Sequence, residues 1–367
     1  MFQFIHKSLR KPTNRHRYFQ TKVPREEKFD DVHISFSGAG HLLPYHLGVC
    51  SYILDQTSTT NTISSPKIEK SSLRNNIRIV SGSSSGAIAA TLFTLLPDRI
   101  EEFTSRFIKQ RGGGISLLNE MLQGLPDTDI GSSCKNNVQH HLHNHETLFI
   151  ATTKCNDASL HLFPFSKEKF EKNTYLEKID YVEKISQCIQ ASCTIPPTFH
   201  PMDILHWNQI PSMRSFFSSS DQPKSNLSYP ESEGIEIDGV YYVDGGIASP
   251  CPIILNENIT TSNDNNPNEN DKTEIIIPVS PLSYSQLPPS SSNNESSTVI
   301  RISPEDPTFS FFLRDVSVGT SNKMYVRPSI QNIRAMGVSM GANASSEELQ
   351  RWWQLGKNDA RRILILD

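Results

Sequence analysis

The feature that most constrains this chain is a serine framed by glycines at the end of an apolar strand. Residues Ile79-Val80-Ser81-Gly82-Ser83-Ser84-Ser85-Gly86-Ala87-Ile88-Ala89-Ala90 pass from β-branched residues through Gly-x-Ser-x-Gly into a run of small residues that reads as a helix start. A strand that turns at once into a helix must bend sharply. Gly82 and Gly86 permit that bend and the close approach of neighbouring chain. The turn pushes the Ser84 hydroxyl out of the backbone. The helix that follows aims its N-terminal amides at the same spot, where negative charge develops during acyl transfer. The five-residue pattern alone also occurs in plain Ser/Gly loops. Its strand and helix flanks make Ser84 the candidate nucleophile.

A second glycine turn lies upstream. The alternating strand His33-Ile34-Ser35-Phe36-Ser37 runs into Gly38-Ala39-Gly40, and apolar residues at helical spacing follow from Leu42 to Cys50. Strand, Gly-x-Gly, helix is also the shape of a dinucleotide-binding loop. Leu43 holds the place of that loop's third glycine. The acidic residue it needs about 20 positions on is missing from Asn61 to Ser65. The better reading is an oxyanion hole, with the amides of Gly38, Ala39 and Gly40 receiving the oxyanion formed when Ser84 attacks.

The third element is Tyr241-Tyr242-Val243-Asp244-Gly245-Gly246, a strand that delivers an aspartate before two glycines. Asp-Gly-Gly can be a simple hairpin turn. The histidines argue otherwise. A Ser, acid, His order is usual for hydrolases built on a strand–serine–helix turn, but no histidine follows His206. A triad ending at His200 or His206 would need Asp157, Asp180 or Asp203 as its acid. The simpler solution is a Ser–Asp dyad, with Asp244 as general base to Ser84.

At this point the chain resembles the patatin-like phospholipase family. The resemblance rests on Ile34 to Gly40 with Tyr45-His46-Leu47-Gly48-Val49, on Gly82 to Ala87, and on Asp244-Gly245-Gly246. Ala191-Ser192-Cys193-Thr194-Ile195-Pro196-Pro197-Thr198-Phe199 is similar to the family's small-residue and proline segment. The wording of the first motif is closest to the animal-type branch of acylglycerol and phospholipid hydrolases. The resemblance implies a three-layer α/β/α fold with a mostly parallel central sheet. It also implies a Ser–Asp dyad and hydrolysis of lipid acyl esters with no metal or other cofactor. Leu43 departs from the pattern where many members carry glycine.

The chain has 367 residues and a net charge of −4, which gives no nucleic-acid signature. Cysteines 50, 134, 155, 188, 193 and 251 are scattered and read as reduced thiols. No apolar run approaches the roughly 18 residues of a spanning helix, so lipid contact is expected to be peripheral, at a membrane or droplet surface inside the cell. The catalytic domain is expected over 31–255, with polar insertions at 57–72 and 212–233. A low-complexity insertion at 256–298 carries one short strand, and a helical extension at 299–367 is expected to pack on the catalytic domain. Strands are expected at 32–36, 77–80, 147–153, 160–165, 240–243 and 274–279. Helices are expected at 41–55, 85–95, 98–110, 115–123, 181–192 and 346–363. Such alternation favours a mostly parallel sheet.

His140, His141, His143 and His145 form a cluster, but a solvated loop fits them better than a metal site, since only Glu146 is suitably placed as a further ligand. Leu42, Leu43, Pro44 and Tyr45 are expected near the mouth of the site. Acyl transfer to an acylglycerol, or lipid binding without catalysis, are the alternatives to hydrolysis. Residues 1–30 are a basic extension; up to Arg25 they contain no Asp or Glu, which suits an organelle transit peptide or an anchor on anionic lipid. Each basic residue near an anionic surface adds on the order of 1 kcal/mol. Deleting residues 1–25 is therefore expected to weaken binding to anionic vesicles in a co-sedimentation assay, while hydrolysis of a short soluble ester stays unchanged. Equal vesicle binding by both forms would remove the anchor role.

Overall fold

Two strand–helix units form the centre of the fold. β1 (Asp31–Phe36) enters α1 (Leu43–Ser58) through a tight turn at Gly40–Leu42, and β2 (Ile77–Ser83) enters α2 (Ser85–Leu95) through Ser84 alone. The computed structural model describes residues 31–58, 73–125, 147–199, 228–254, 274–281, 297–299 and 344–364. The basic extension, the histidine cluster, His200, Asp203, His206, Cys134 and most of the polar insertions lie outside the described residues. After α2 come α3 (Ile100–Gln110), α4 (Gly114–Gln123), β3 (Thr147–Lys154), β4 (Leu160–Ser166), α5 (Lys167–Lys172) and α6 (Tyr175–Ser192). Then follow β5 (Ile235–Ile237), β6 (Val240–Asp244), α7 (Gly245–Ala248), β7 (Glu274–Val279), β8 (Ser297–Val299) and α8 (Ser346–Leu364).

The strands form one sheet in the order β5-β6-β3-β2-β1-β7-β8, with β4 also paired to β3. β1 runs parallel to β2 and β7, β2 to β3, and β7 to β8. The pairs β3–β4, β3–β6 and β5–β6 are antiparallel. This is the expected mixed α/β fold, a mostly parallel sheet flanked by helices. The parallel strands read as near-continuous apolar runs because helices cover them. Ile34, Phe36, Ile77 and Val80 are fully buried. α2 is buried from Ser85 to Thr94. Its Gly, Ala and Ser residues let it approach the sheet closely, and it has no polar face to show to water.

The structure lengthens some expected elements and adds others. α6 starts at Tyr175, well before position 181, because Thr174 and Glu177 form a reciprocal capping box. That Thr-x-x-Glu signal is present in the sequence. β5 pairs with β6 across Asp238 and Gly239, whose φ values of 53° and 77° suit a tight hairpin turn. The Asp-Gly hairpin of this chain is thus at 238–239, whereas Asp244-Gly245-Gly246 opens a short helix.

Leu42, Leu43 and Tyr45 do not line a mouth; each is at most 1% exposed within the core. α1 buries them against α2, α3 and α8. Leu43 stands where a glycine was the pattern, and its side chain packs near Gly114. Ile195, whose neighbour Thr194 bonds through its carbonyl to the Asp244 amide, is by contrast 60% exposed.

α8 crosses α1 at very short range. A Cβ on Gly48 would lie 2.1 Å from the Trp353 carbonyl oxygen, and one on Gly356 would lie 2.1 Å from that of Tyr45. Trp352 packs edge-on against Tyr45, whose hydroxyl donates to Asp359 Oδ2 at 2.8 Å. Gly48→Ala separates two competing effects. Alanine favours an exposed helix by about 1 kcal/mol, whereas forcing a methyl into a filled contact costs about 1–3 kcal/mol. The second effect acts here, because the clash is with rigid backbone. Urea denaturation is expected to show Gly48→Ala destabilised; a gain in stability would mean that the helices are not held at this distance.

Candidate active site

The two candidate reacting residues meet because two strands run toward each other along one edge of β3. β2 pairs with β3 from Thr147 to Ala151, ending with Ser83 opposite Ala151. β6 pairs antiparallel with the rest of that edge, placing Asp244 opposite Thr152. β4 occupies the other edge throughout. The C-terminal ends of β2 and β6 therefore abut. Ser84 and Asp244, far apart in sequence, are thus brought side by side, and the Ser84 hydroxyl stabilises the Asp244 carboxylate.

The turn at Ser84 is as sharp as the sequence requires. Ser84 has φ 51° and ψ −128°, a strained backbone for a residue with a side chain, of the kind concentrated at functional sites. Its side chain is partly exposed. The flanking glycines are needed for space. A Cβ on Gly82 would lie 2.2 Å from the Gly86 carbonyl oxygen, and one on Gly86 would lie 2.3 Å from that of Phe36.

Asp244 is buried, and burial raises its carboxyl from the ordinary 3.8 to about 6. The neighbouring Ser84 hydroxyl and the hydrogen bond from the Gly246 amide, at 2.7 Å, pull in the opposite direction. The Asp244 backbone is fixed at both ends. Its amide donates to the Thr194 carbonyl at 2.8 Å, and its carbonyl accepts from Thr153 Oγ1 at 2.7 Å. Gly245 must lack a side chain, since a Cβ would lie 2.0 Å from the Ala151 carbonyl oxygen.

The Gly38-Ala39-Gly40 loop lies beside Ser84; a Cβ on Gly38 would be 3.3 Å from Ser84 Cβ. Its three amides are not equivalent. Gly38 N–H donates to the Pro250 carbonyl at 2.8 Å, and Ala39 N–H to Ser85 Oγ at 3.0 Å. Gly40, at φ 51°, has no such acceptor among the described residues. The expectation that all three amides face an oxyanion is thus narrowed, because two of them already hold the loop in place.

Other candidates are set apart. Asp157 is exposed in the turn after β3 and accepts from the Ser159 amide, and Asp180 is exposed on α6. His46 is fully buried, donates Nε2–H to the Ser37 carbonyl at 2.8 Å, and is held neutral by burial, which lowers it to about 4. It is a packing residue beneath the loop. Cys193 beside Asp244 is a thiol pushed well above its ordinary range, by burial first and by Asp244 second. Among the described residues no group of His, Cys, Asp or Glu could hold a metal ion.

A family model for patatin-like phospholipases matches residues 34–255, which include every one of these residues. The chain belongs to the patatin-like phospholipase family. Membership supports lipid acyl hydrolase activity in general. Among solved structures the chain is similar to VipD from Legionella pneumophila, with 12% identity and a TM-score of 0.30, over 89% of this chain and 67% of that one. No curated protein matches the sequence. Within the patatin-like domain, sequence reasoning missed the residues that hold the site from behind, Ser83, Ser85, Ser192 and Pro250. The one signal, for Ser83 alone, was the density of serine in strands that are otherwise apolar.

The buried carboxyl gives a direct test. The labelled Asp244 carboxyl carbon is expected to titrate near pH 6 by NMR. Ser84→Ala removes a hydroxyl that lowers this pKa, so the midpoint should rise further. A midpoint near 3.8, unchanged by Ser84→Ala, would mean that Asp244 is solvated and not bonded to Ser84.

Proposed function

We propose that this protein hydrolyses carboxylic esters of phospholipids or acylglycerols through a Ser84–Asp244 dyad and a covalent acyl-enzyme. The observation that carries the reading is the register of β2 and β6 along β3, which sets Ser84, on its strained turn, beside the buried Asp244 carboxyl. A hydroxyl is a weak nucleophile until a neighbouring base takes its proton. Asp244, raised to about 6, is ionised at neutral pH yet basic enough to do so.

In this reading Ser84 Oγ attacks the ester carbonyl carbon while Asp244 takes the hydroxyl proton. The carbonyl π electrons move to oxygen. The resulting oxyanion is held by the Gly40 N–H and, at the N-terminus of α2, by the Ser85 N–H; Gly38 and Ala39 shape the loop that presents Gly40. Collapse expels the alcohol or lysolipid, which takes the proton from Asp244. Water then attacks the acyl-enzyme, with Asp244 again the base, releasing fatty acid and free Ser84. Gly82 and Gly86 keep the nucleophile turn tight, and Gly245 and Gly246 keep the acid in register. No step calls for a metal or other cofactor. The phrases Phe36-Ser37-Gly38-x-Gly40 and Tyr45-His46-x-Gly48 support placing the chain in the animal-type branch. An insoluble ester must be met at its own surface, so the partner in this reading is a membrane or lipid droplet touched peripherally. Among the described residues no helix is long and apolar enough to cross a membrane.

A fluorophosphonate probe is expected to label Ser84, and Ser84→Ala to lose both labelling and release of fatty acid from mixed lipid vesicles. Asp244→Asn should lose at least about 10²-fold in turnover, the lower range for a general base. Below about pH 6 the protonated Asp244 cannot accept a proton, so kcat/KM should fall with falling pH through that value. Full activity in Asp244→Asn would overturn the dyad, and lipid binding with no labelling would make the protein a binder.

A further inference from the structure

Ser192, the last residue of α6, is fully buried beside the candidate site. Its Oγ accepts from the Ser84 N–H at 2.8 Å and donates to the Ala151 carbonyl at 2.7 Å. Both partners are special. Ser84 N–H belongs to the residue just past the end of β2, where the ladder to β3 stops. Ala151 carbonyl oxygen is the atom against which Gly245 packs, directly after the acid. Two residues further on, the Thr194 carbonyl accepts the Asp244 amide at 2.8 Å. The short segment from Ser192 to Thr194 therefore grips the backbone amides of both candidate reacting residues.

Taking Ser84 and Asp244 as the reacting pair proposed above, we infer that Ser192 is a positioning residue, whose hydroxyl sets the nucleophile at the distance and angle from Asp244 that proton transfer needs. Two constraints converge on Ser192. The φ 51°, ψ −128° backbone of Ser84 is costly for a residue with a Cβ and persists only where its surroundings hold it. The Ser192 bond acts on the amide of that very residue. Second, Ser192 ties this amide to β3, the strand that also registers Asp244. A shift of Ser84 relative to Asp244 must break one of the two bonds. Ser192 touches neither the ester nor the transferring proton, so its effect passes wholly through Ser84.

The test compares Ser192→Ala, Ser192→Thr and Ser192→Cys with Ser186→Ala in the full chain. Ser186 lies on the same helix and donates to Asn119 Oδ1 at 2.7 Å, away from the site. Each protein is measured for thermal stability, for kcat and KM on a short soluble ester, for the rate of fluorophosphonate labelling at Ser84, and for the acid limb of its pH profile. Ser192→Ala is expected to lower kcat and labelling rate together by roughly 10- to 100-fold, the scale of a misplaced reacting group, with KM nearly unchanged. Its acid limb should move to higher pH, because the Ser84 hydroxyl, which lowers the Asp244 pKa, is displaced from the carboxyl. Ser192→Thr keeps the hydroxyl and should restore most of the rate. Ser192→Cys keeps the volume but bonds more weakly, and should fall between; it carries the comparison where the alanine variant does not fold. Ser186→Ala should lose stability without losing kcat. Ser192 variants with wild-type kcat, labelling and acid limb would overturn the inference while leaving the labelled dyad intact. A loss in Ser192→Ala matched by Ser186→Ala at equal loss of stability would overturn it as well. A wild-type protein that does not label at Ser84 would overturn the reacting pair and the role of Ser192 with it.

Discussion

β3 is the ruler against which the candidate site is measured. Its one edge is divided at the Ala151–Thr152 bond, with β2 on one side and β6 on the other. Hydrogen-bond register in a sheet is quantised, so this division brings Ser84 and Asp244 together without any flexible loop to position them. What surrounds the junction follows from it. The sharp turn into α2 is forced, because β2 has no further edge to follow. The glycine at 245 is forced, because the chain leaving β6 passes over the Ala151 carbonyl oxygen at a distance that leaves no room for a Cβ. α6 ends here too, and its last residues bond to both strand ends.

A second constraint is the matching of donors and acceptors behind the site. The segment Ser249–Ile254, which follows α7, lies across the ends of β1 and β2. Pro250 and Pro252 have no N–H and offer only carbonyl oxygens. The hydroxyls of Ser83 and Ser81 donate to them, the first at 2.8 Å and the second at 2.5 Å, and Ser35 donates to Pro252 at 2.8 Å. The Pro250 carbonyl also takes the Gly38 amide. Ser35 and Ser81 face each other in register across β1 and β2. Valine at these positions would suit a covered parallel strand equally well in volume, yet would remove both hydroxyl donors to the Pro252 carbonyl. The chain leaving Asp244 is thus anchored to β2 and to the glycine loop.

The glycine loop is held from its other end by packing. α1 begins directly after it, and α8 presses on α1 through Gly48 and Gly356 with no intervening side chains. Tyr45 is bonded to Asp359, whose carboxyl burial raises to about 6. α8 lies beyond the residues matched by the family model, so the part of the chain that fixes the start of α1 includes residues outside the patatin-like match.

The sequence by itself determined the local devices. Strand, glycine-framed serine and helix at 77–95, the strand and glycine turn at 31–40, and the acid ending a strand at 244 are all legible, because each is set by sterics among near neighbours in the chain. The same locality explains why the capping box at Thr174 and the hairpin turn at Asp238-Gly239 were present to be read. Only the tertiary structure decided how these devices meet. It brought Ser84 beside Asp244, occupied the Gly38 and Ala39 amides, buried Leu42, Leu43 and Tyr45, and set Ser192 between Ser84 and β3. Those outcomes depend on hydrogen bonds and contacts between segments far apart in the chain. No local period in the sequence records such pairings, so a buried serine that bridges two strands reads there like any other serine.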